Sequence, residues 1–281
     1  MAKSSSSTEA DGCTCPETCG QQECLVLKED TVYTNSFEFA GLSAHTTYYY
    51  QISGICEDGS LISSDLIVFT TPCAEFEKLP YVENFDSYTS VGYNGGTMPY
   101  CWYYTSGNYY YSYSSYSNYH YPYIYNSSSY SHSGSNLLCM GDPDYISSSA
   151  GQPYFALPQF NKPVNEIEMS FFARLNSSSY YEEVADTLWV GVMSDVADTT
   201  TFDFVEEVIV NSTTYTEFEI NFTGYTGNGT HIAIKRKGAS FVEGSYYNTY
   251  YYAYIDDINI HEAPLCEHIR TLNVVGTEAH N

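Results

Sequence analysis

The chain has 281 residues and sets 34 Asp and Glu against 9 Lys and Arg, a formal net charge of −25 with a pI near 4.2. Phosphate recognition needs basic patches, so this balance excludes nucleic-acid binding and disfavours anionic membrane surfaces, while acidic surfaces of this kind suit divalent cations. Tyrosine is the outlier at 32 residues, mixed with Ser, Thr, Asn and Gly, a composition that favours strands and polar loops and points to an all-β fold with no membrane-spanning run.

Residues 1–24 are Ser-rich and then Cys-rich and read as linker or tag. Nine cysteines fit an exported, disulfide-permissive protein, with pairings that sequence leaves open. Cys13, Cys15, Cys19 and Cys24 offer four thiolates to zinc, but their spacing matches no common zinc knuckle and favours disulfides or disorder. The first residues lack the apolar stretch of a signal peptide, which leaves either a removed export signal or an internal segment of a longer protein.

Short strands begin at Leu25. Tyr48-Tyr49-Tyr50-Gln51-Ile52 follows a corner at Gly41–Thr47, Glu57-Asp58-Gly59-Ser60 makes a hairpin turn, and Leu66–Thr71 is a further strand. Leu42 with Tyr48 six positions on, the alternating Tyr50 and Ile52, and the exit Phe69-Thr70-Thr71 give residues 25–72 a resemblance to the second half of a fibronectin type III domain. The likeness implies a tyrosine corner in which the Tyr48 hydroxyl ties the loop backbone. A half sandwich leaves an apolar face unpaired, so this region is expected to be less stable than residues 73–263. Residues 264–281 resemble the start of another such repeat, and strand exchange between molecules is one expected consequence.

Residues 73–263 form the main candidate domain. Ile167, Met169 and Phe171 alternate inward, Leu188–Met193 is apolar on both faces as a central strand would be, and Thr216–Phe222 alternates again. Many strands with turns between them point to a two-sheet jelly-roll β-sandwich. In the last strand, Tyr254, Asp256, Ile258 and Ile260 are expected on one core-facing side, with Ile255, Asp257, Asn259 and His261 on the other. An acidic strand, Glu83-Asn84-Phe85-Asp86, lies far upstream. If the two strands pair, Glu83, Asp86, Asp256 and Asp257 can converge on one hard cation, and calcium is the ion expected. Asp142 and Asp144 form a further acidic turn of the kind turns commonly carry.

The ordered set Leu79–Asp86, Met98-Pro99-Tyr100-Cys101-Trp102, Gly134–Leu138, Tyr154–Pro158, Val190–Asp195, His231–Ile234 and Tyr254–Ile258 resembles the cleaved-adhesin or MAM-like jelly rolls of bacterial surface proteins, the gingipain adhesin type. That resemblance implies a non-catalytic binding module, secreted or on the bacterial cell surface, with structural calcium near its first and last strands. It puts Asp86 and Asp256 foremost, then Glu83 and Asp257. The chain departs from the family in a tyrosine-loaded insert, in which Tyr109, Tyr110, Tyr111, Tyr113, Tyr121 and Tyr123 offer stacking surfaces to a glycan or an extracellular host protein. The alternative is a structural spacer or an accessory domain of a larger surface protease or glycoside hydrolase. Catalysis itself is disfavoured, because no E-x-D-x-x-E or E-x-D-x-E run, nucleophile elbow, metalloprotease helix motif or phosphate loop occurs.

Overall fold

The computed structural model describes residues 2–8, 25–32, 36, 38–56, 58–93, 96–104, 108–110, 118–141, 152–176, 185–240 and 252–264, with 2–8, 25–32, 108–110, 118–120 and 238–240 described as backbone only. It divides into two units, residues 1–74 and 75–281. In the first, β1 (Ala2–Thr8) lies antiparallel between β2 (Leu25–Val32) and β3 (Thr47–Ile55), so a segment read from composition as linker forms a strand. The other edge of β3 pairs with β4 (Leu61–Ser63) and β5 (Ile67–Thr70). Tyr48 is the buried anchor of this sheet. Its hydroxyl oxygen accepts a hydrogen bond from the Ser43 backbone N–H at 2.7 Å, the loop tie expected of it, and its ring stacks on Phe69 at 5.8 Å.

The second unit is an antiparallel sandwich. Its strands are β6 (Tyr81–Glu83), β7 (Tyr103–Tyr104), β8 (Asn108–Tyr110), β9 (Asn118–His120), β10 (Tyr123–Asn126), β11 (Asn136–Met140), β12 (Tyr154–Ala156), β13 (Ile167–Leu175), β14 (Ala185–Met193), β15 (Phe202–Val210), β16 (Thr216–Asn221), β17 (His231–Ser240) and β18 (Ala253–Glu262). One sheet runs β10-β11-β18-β13-β16, with β6 on the edge of β18 that β11 leaves free, and the other runs β15-β14-β17-β12-β7. β8 and β9 pair with each other as a separate hairpin. The all-β class read from composition is therefore the class observed.

Between the sheets lies one continuous apolar core. Ile167, Met169 and Phe171 enter it from β13, Leu188, Val190 and Val192 from β14, and Ile232 and Ile234 from β17. Each such side chain contributes roughly 1.5–3 kcal/mol by leaving water. β14 is central, flanked by β15 and β17, which explains a strand apolar on both faces. Trp102 closes one part of the core, stacked on Phe155 at 4.9 Å, with its indole N–H donating to the Tyr81 hydroxyl at 2.8 Å. A fully buried ion pair joins Arg236 to Asp186, with N···O distances of 2.7 and 2.6 Å. Removing either partner would strand a charge.

The closing strand departs from simple alternation. Ala253 and Ile255 face the core, Tyr254 belongs to a cluster on the opposite face, and Ile258 and Ile260 face the core again. The phase changes at a β-bulge. Opposite it, the register with β13 slips between Ser170 and Phe172, and Asp257 takes a left-handed φ of 47°. One extra residue reverses every side chain beyond it. The core assignment of Ile258 and Ile260 thus holds, whereas Tyr254 and Asp256 lie on the outer face and Ile255 on the inner.

Candidate functional site

The two acidic segments do come together. β6 pairs antiparallel with β18, with Glu83 opposite Ile258 and Tyr81 opposite Ile260. Only Tyr81–Glu83 is strand, because the chain turns at Phe85, whose φ is 61°. Glu83 fixes that turn, accepting from the Phe85 N–H at 2.7 Å and from the Tyr88 hydroxyl at 3.0 Å.

Asp86, Asp256 and Asp257 converge on one loop, Ser131–Asn136, which joins β10 to β11. Asp86 Oδ1 accepts from the backbone N–H groups of Ser135 and Asn136 at 2.7 and 3.0 Å. From the other side, Asp256 Oδ2 accepts from the N–H groups of His132 and Ser133 at 2.8 and 3.2 Å, while its Oδ1 accepts from the N–H of Asp257 at 2.8 Å. Asp257 accepts from the Ser133 hydroxyl at 2.7 Å and lies 2.6 Å from His132 Nδ1. Gly134, at φ 52°, sits so close to Asp86 that a Cβ there would overlap the carboxylate. Asn136, fully buried, ties this loop to the β6 turn by donating to the carbonyls of Phe85 and Tyr88 at 2.8 and 3.0 Å.

The electrostatics follow from crowding. Burial, reinforced by Asp257, pushes the Asp256 carboxyl up to about 6 even though the amides of His132 and Ser133 pull the other way. Burial also raises Glu83, against the pull of its bonds to Phe85 and Tyr88. Tyr88 is pushed up to about 12 by burial and by the neighbouring Glu83. Ser133, Asp257 and His132 are the residue types of a hydrolytic triad in the wrong connectivity. The serine donates to the carboxylate instead of the imidazole, so the Ser–His bond of such a triad is not made here.

The loop borders an aromatic surface. On the outer face of the sheet, Tyr123 on β10, Cys139 on β11, Tyr254 on β18 and Arg174 on β13 stand in register across four strands. Around this row Tyr121 packs 5.3 Å from Tyr123, Tyr125 lies 6.3 Å from Tyr254, Tyr130 lies 5.7 Å from Tyr254, and Tyr252 stacks parallel to Tyr254 at 6.4 Å. The Arg174 guanidinium sits over the rings of Tyr130 and Tyr215 at 5.6 and 5.7 Å. His132 stacks on Phe172 at 3.7 Å, and the Tyr215 hydroxyl donates to the Tyr130 carbonyl at 2.8 Å. The acid-clamped loop therefore carries one edge of the tyrosine face. Burial raises the phenols of Tyr123, Tyr215 and Tyr254 and pushes the Cys139 thiol up to about 12, so all stay protonated.

Of the tyrosines singled out in the insert, Tyr121 is buried in this face and Tyr123 half-buried in it. Tyr109 and Tyr110 lie on β8, described as backbone, while Tyr111 and Tyr113 fall outside the described residues. So do Cys13, Cys15, Cys19, Cys24, Asp142, Asp144 and residues 265–281. Cys73 and Cys101 are disulfide-bonded, whereas Cys56 and Cys139 are free thiols. Tyr125 closes the tyrosine-loaded insert read from the sequence, whereas Tyr130, Tyr215, Tyr252, Arg174 and the clamped loop were missed. The one local signal for the loop was Gly134-Ser135-Asn136 ahead of the fully buried β11.

No protein-family model matches the chain, and no curated protein matches it significantly. Among solved structures it is similar to the K1 cleaved adhesin domain of Lys-gingipain from Porphyromonas gingivalis W83, at 12% identity over 66% of this chain and 100% of that one, with a TM-score of 0.43. The K2 cleaved adhesin domain of Lys-gingipain is similar at 15% identity over 64% of this chain and 98% of that one, with a TM-score of 0.42. The CBM22-1 xylan-binding domain of Paenibacillus barcinonensis Xyn10C is similar at 13% identity over 68% and 97%, with a TM-score of 0.35. The all-β class itself is given by the strands of this chain.

Proposed function

We propose that the sandwich is a non-catalytic binding module of a secreted or bacterial surface protein, taking glycan or an extracellular host protein on its tyrosine face. The observation that carries this reading is the continuous set of tyrosine rings on one outer sheet face, edged by Arg174 and His132. Tyrosine offers a flat apolar ring and a hydroxyl at low conformational-entropy cost, which suits stacking against sugar rings or aromatic and proline-rich peptide. In the same reading Asp86 and Asp256, with Asp257 and Glu83, hold a calcium ion. Asp86, Asp256 and Asp257 all bond to the Ser131–Asn136 loop, and carboxylate oxygens of this type suit a hard cation, while Glu83 is engaged by its own turn. Calcium would supply positive charge beside the loop that these residues already bind.

A glycan array tests the binding role. Wild type is expected to give repeatable binding that the Tyr123→Ala/Tyr125→Ala double variant loses. An array without signal, or equal signal from the variant, contradicts it and favours a spacer. Strand exchange belongs to the same reading and requires a concentration-dependent dimer by light scattering.

A further inference from the structure

Away from the tyrosine face, a cleft of about 410 Å³ opens between residues 159–165 and the β16–β17 loop, residues 225–230, with Glu75 at its edge. This size lies within the usual range of small-ligand sites. Both walls are built rigidly. Phe160 is wedged against Phe76 and Tyr81, with ring centroids at 6.3 and 5.5 Å, and backbone bonds of 2.8 and 3.0 Å join Phe76 to Gln159 and Asn161. On the opposite wall the loop wraps the Tyr225 hydroxyl, which accepts from the Gly229 N–H at 2.8 Å and donates to Asp203 at 3.1 Å. A Cβ at Gly229 would stand 2.6 Å from Val192 Cγ1, so the close wrap requires glycine.

The charges at the cleft are already engaged. Glu75 accepts from the Gln159 side-chain amide at 2.6 Å, and Lys162 Nζ lies 3.3 Å from Glu262. What the walls present to solvent is the exposed amides of Asn161, Asn165 and Asn228 and the hydroxyl of Thr226. A side-chain amide both donates and accepts, which matches neighbouring hydroxyls of a sugar, and the fixed Tyr225 ring offers an apolar surface to its C–H face. A net charge of −25 opposes anionic ligands. We propose that this cleft is a second glycan site, selective for an uncharged pyranose unit. The proposal rests on the glycan reading above and deepens it with a location and a ligand class.

Amide chemical shifts of Gly227, Gly229 and Thr230, followed by NMR during titration with xylohexaose, cellohexaose, mannohexaose and tetragalacturonate, test it. One of the neutral hexaoses is expected to move these amides in wild type and equally in Tyr123→Ala/Tyr125→Ala. The Asn161→Ala/Asn228→Ala variant, changed only at exposed side chains, should need at least tenfold more of that hexaose. Movement confined to the amides of Tyr123 and Tyr125 overturns the cleft and leaves the tyrosine-face reading standing. No movement at either place overturns both. Movement with tetragalacturonate alone overturns the neutral class.

Discussion

In the sandwich, Ile167, Met169, Phe171 and Ala173 of one strand point into a core that leaves each no more than 1% exposed, whereas in the N-terminal sheet Ile52, Ile62 and Ile67 remain 39–65% exposed. Both stretches have strand-like apolar patterning. The difference lies in the partner: β13 faces a second sheet, while among the described residues β3, β4 and β5 carry on that side the aromatic group of Phe39, Tyr48, Tyr50 and Phe69, of which Tyr48 alone is buried. Patterning specifies which face is apolar, and stability then depends on what covers it.

The largest expected contrast is in the cores. Phe171→Ala should cost the sandwich about 3–5 kcal/mol through lost transfer energy and a cavity. Ile62→Ala in the N-terminal sheet should change stability by no more than about 0.5 kcal/mol. Chemical denaturation of the two variants measures both, and comparable losses would show that the N-terminal face is covered in solution. Next comes Gly134→Ala, which forces a methyl into the Asp86 carboxylate at a left-handed φ and should cost about 1–3 kcal/mol from backbone strain alone. Faster hydrogen exchange at Ser135 and Asn136 would report the released clamp. Tyr48→Phe removes the tie to Ser43 and should cost about 1 kcal/mol, confined to the N-terminal unit's melting.

A smaller effect separates Asp256 from ordinary surface acids. Its folded-state carboxyl, at about 6, lies above the usual 3.8, so the folded state binds the proton more tightly. That contribution is fully present below 3.8 and is lost as pH rises through 6. In calcium-free buffer, wild type should therefore lose more stability between pH 4 and pH 7 than Asp256→Asn does. Equal slopes would show that the carboxyl titrates alike in folded and unfolded chains.

How much of this was legible in the sequence varies with the range of the interaction. β13 could be read because alternation is local, and Tyr48 because its tie spans five residues. The pairing of Glu83 with the closing strand was inferable only as a condition, since the strands lie some 175 positions apart in sequence, as the register of Glu83 with Ile258 implies. The bulge at Asp257 was not legible: it is set by how β18 meets β13, and an aspartate that tolerates positive φ gives only a faint local sign. That one residue moved Asp256 from the core to the aromatic face. The clamped loop has no periodicity, and its bonds reach 124 positions along the chain from His132 to Asp256.

Calorimetric melting of the full chain in millimolar calcium and in EDTA, for wild type and Asp256→Asn, tests the acid cluster most directly. A cation held by Asp86, Asp256 and their neighbours predicts that calcium raises the sandwich Tm of wild type by several degrees and leaves the variant nearly unmoved. Superimposable wild-type transitions in calcium and EDTA would contradict it, leaving these carboxylates as clamps for the Ser131–Asn136 loop alone.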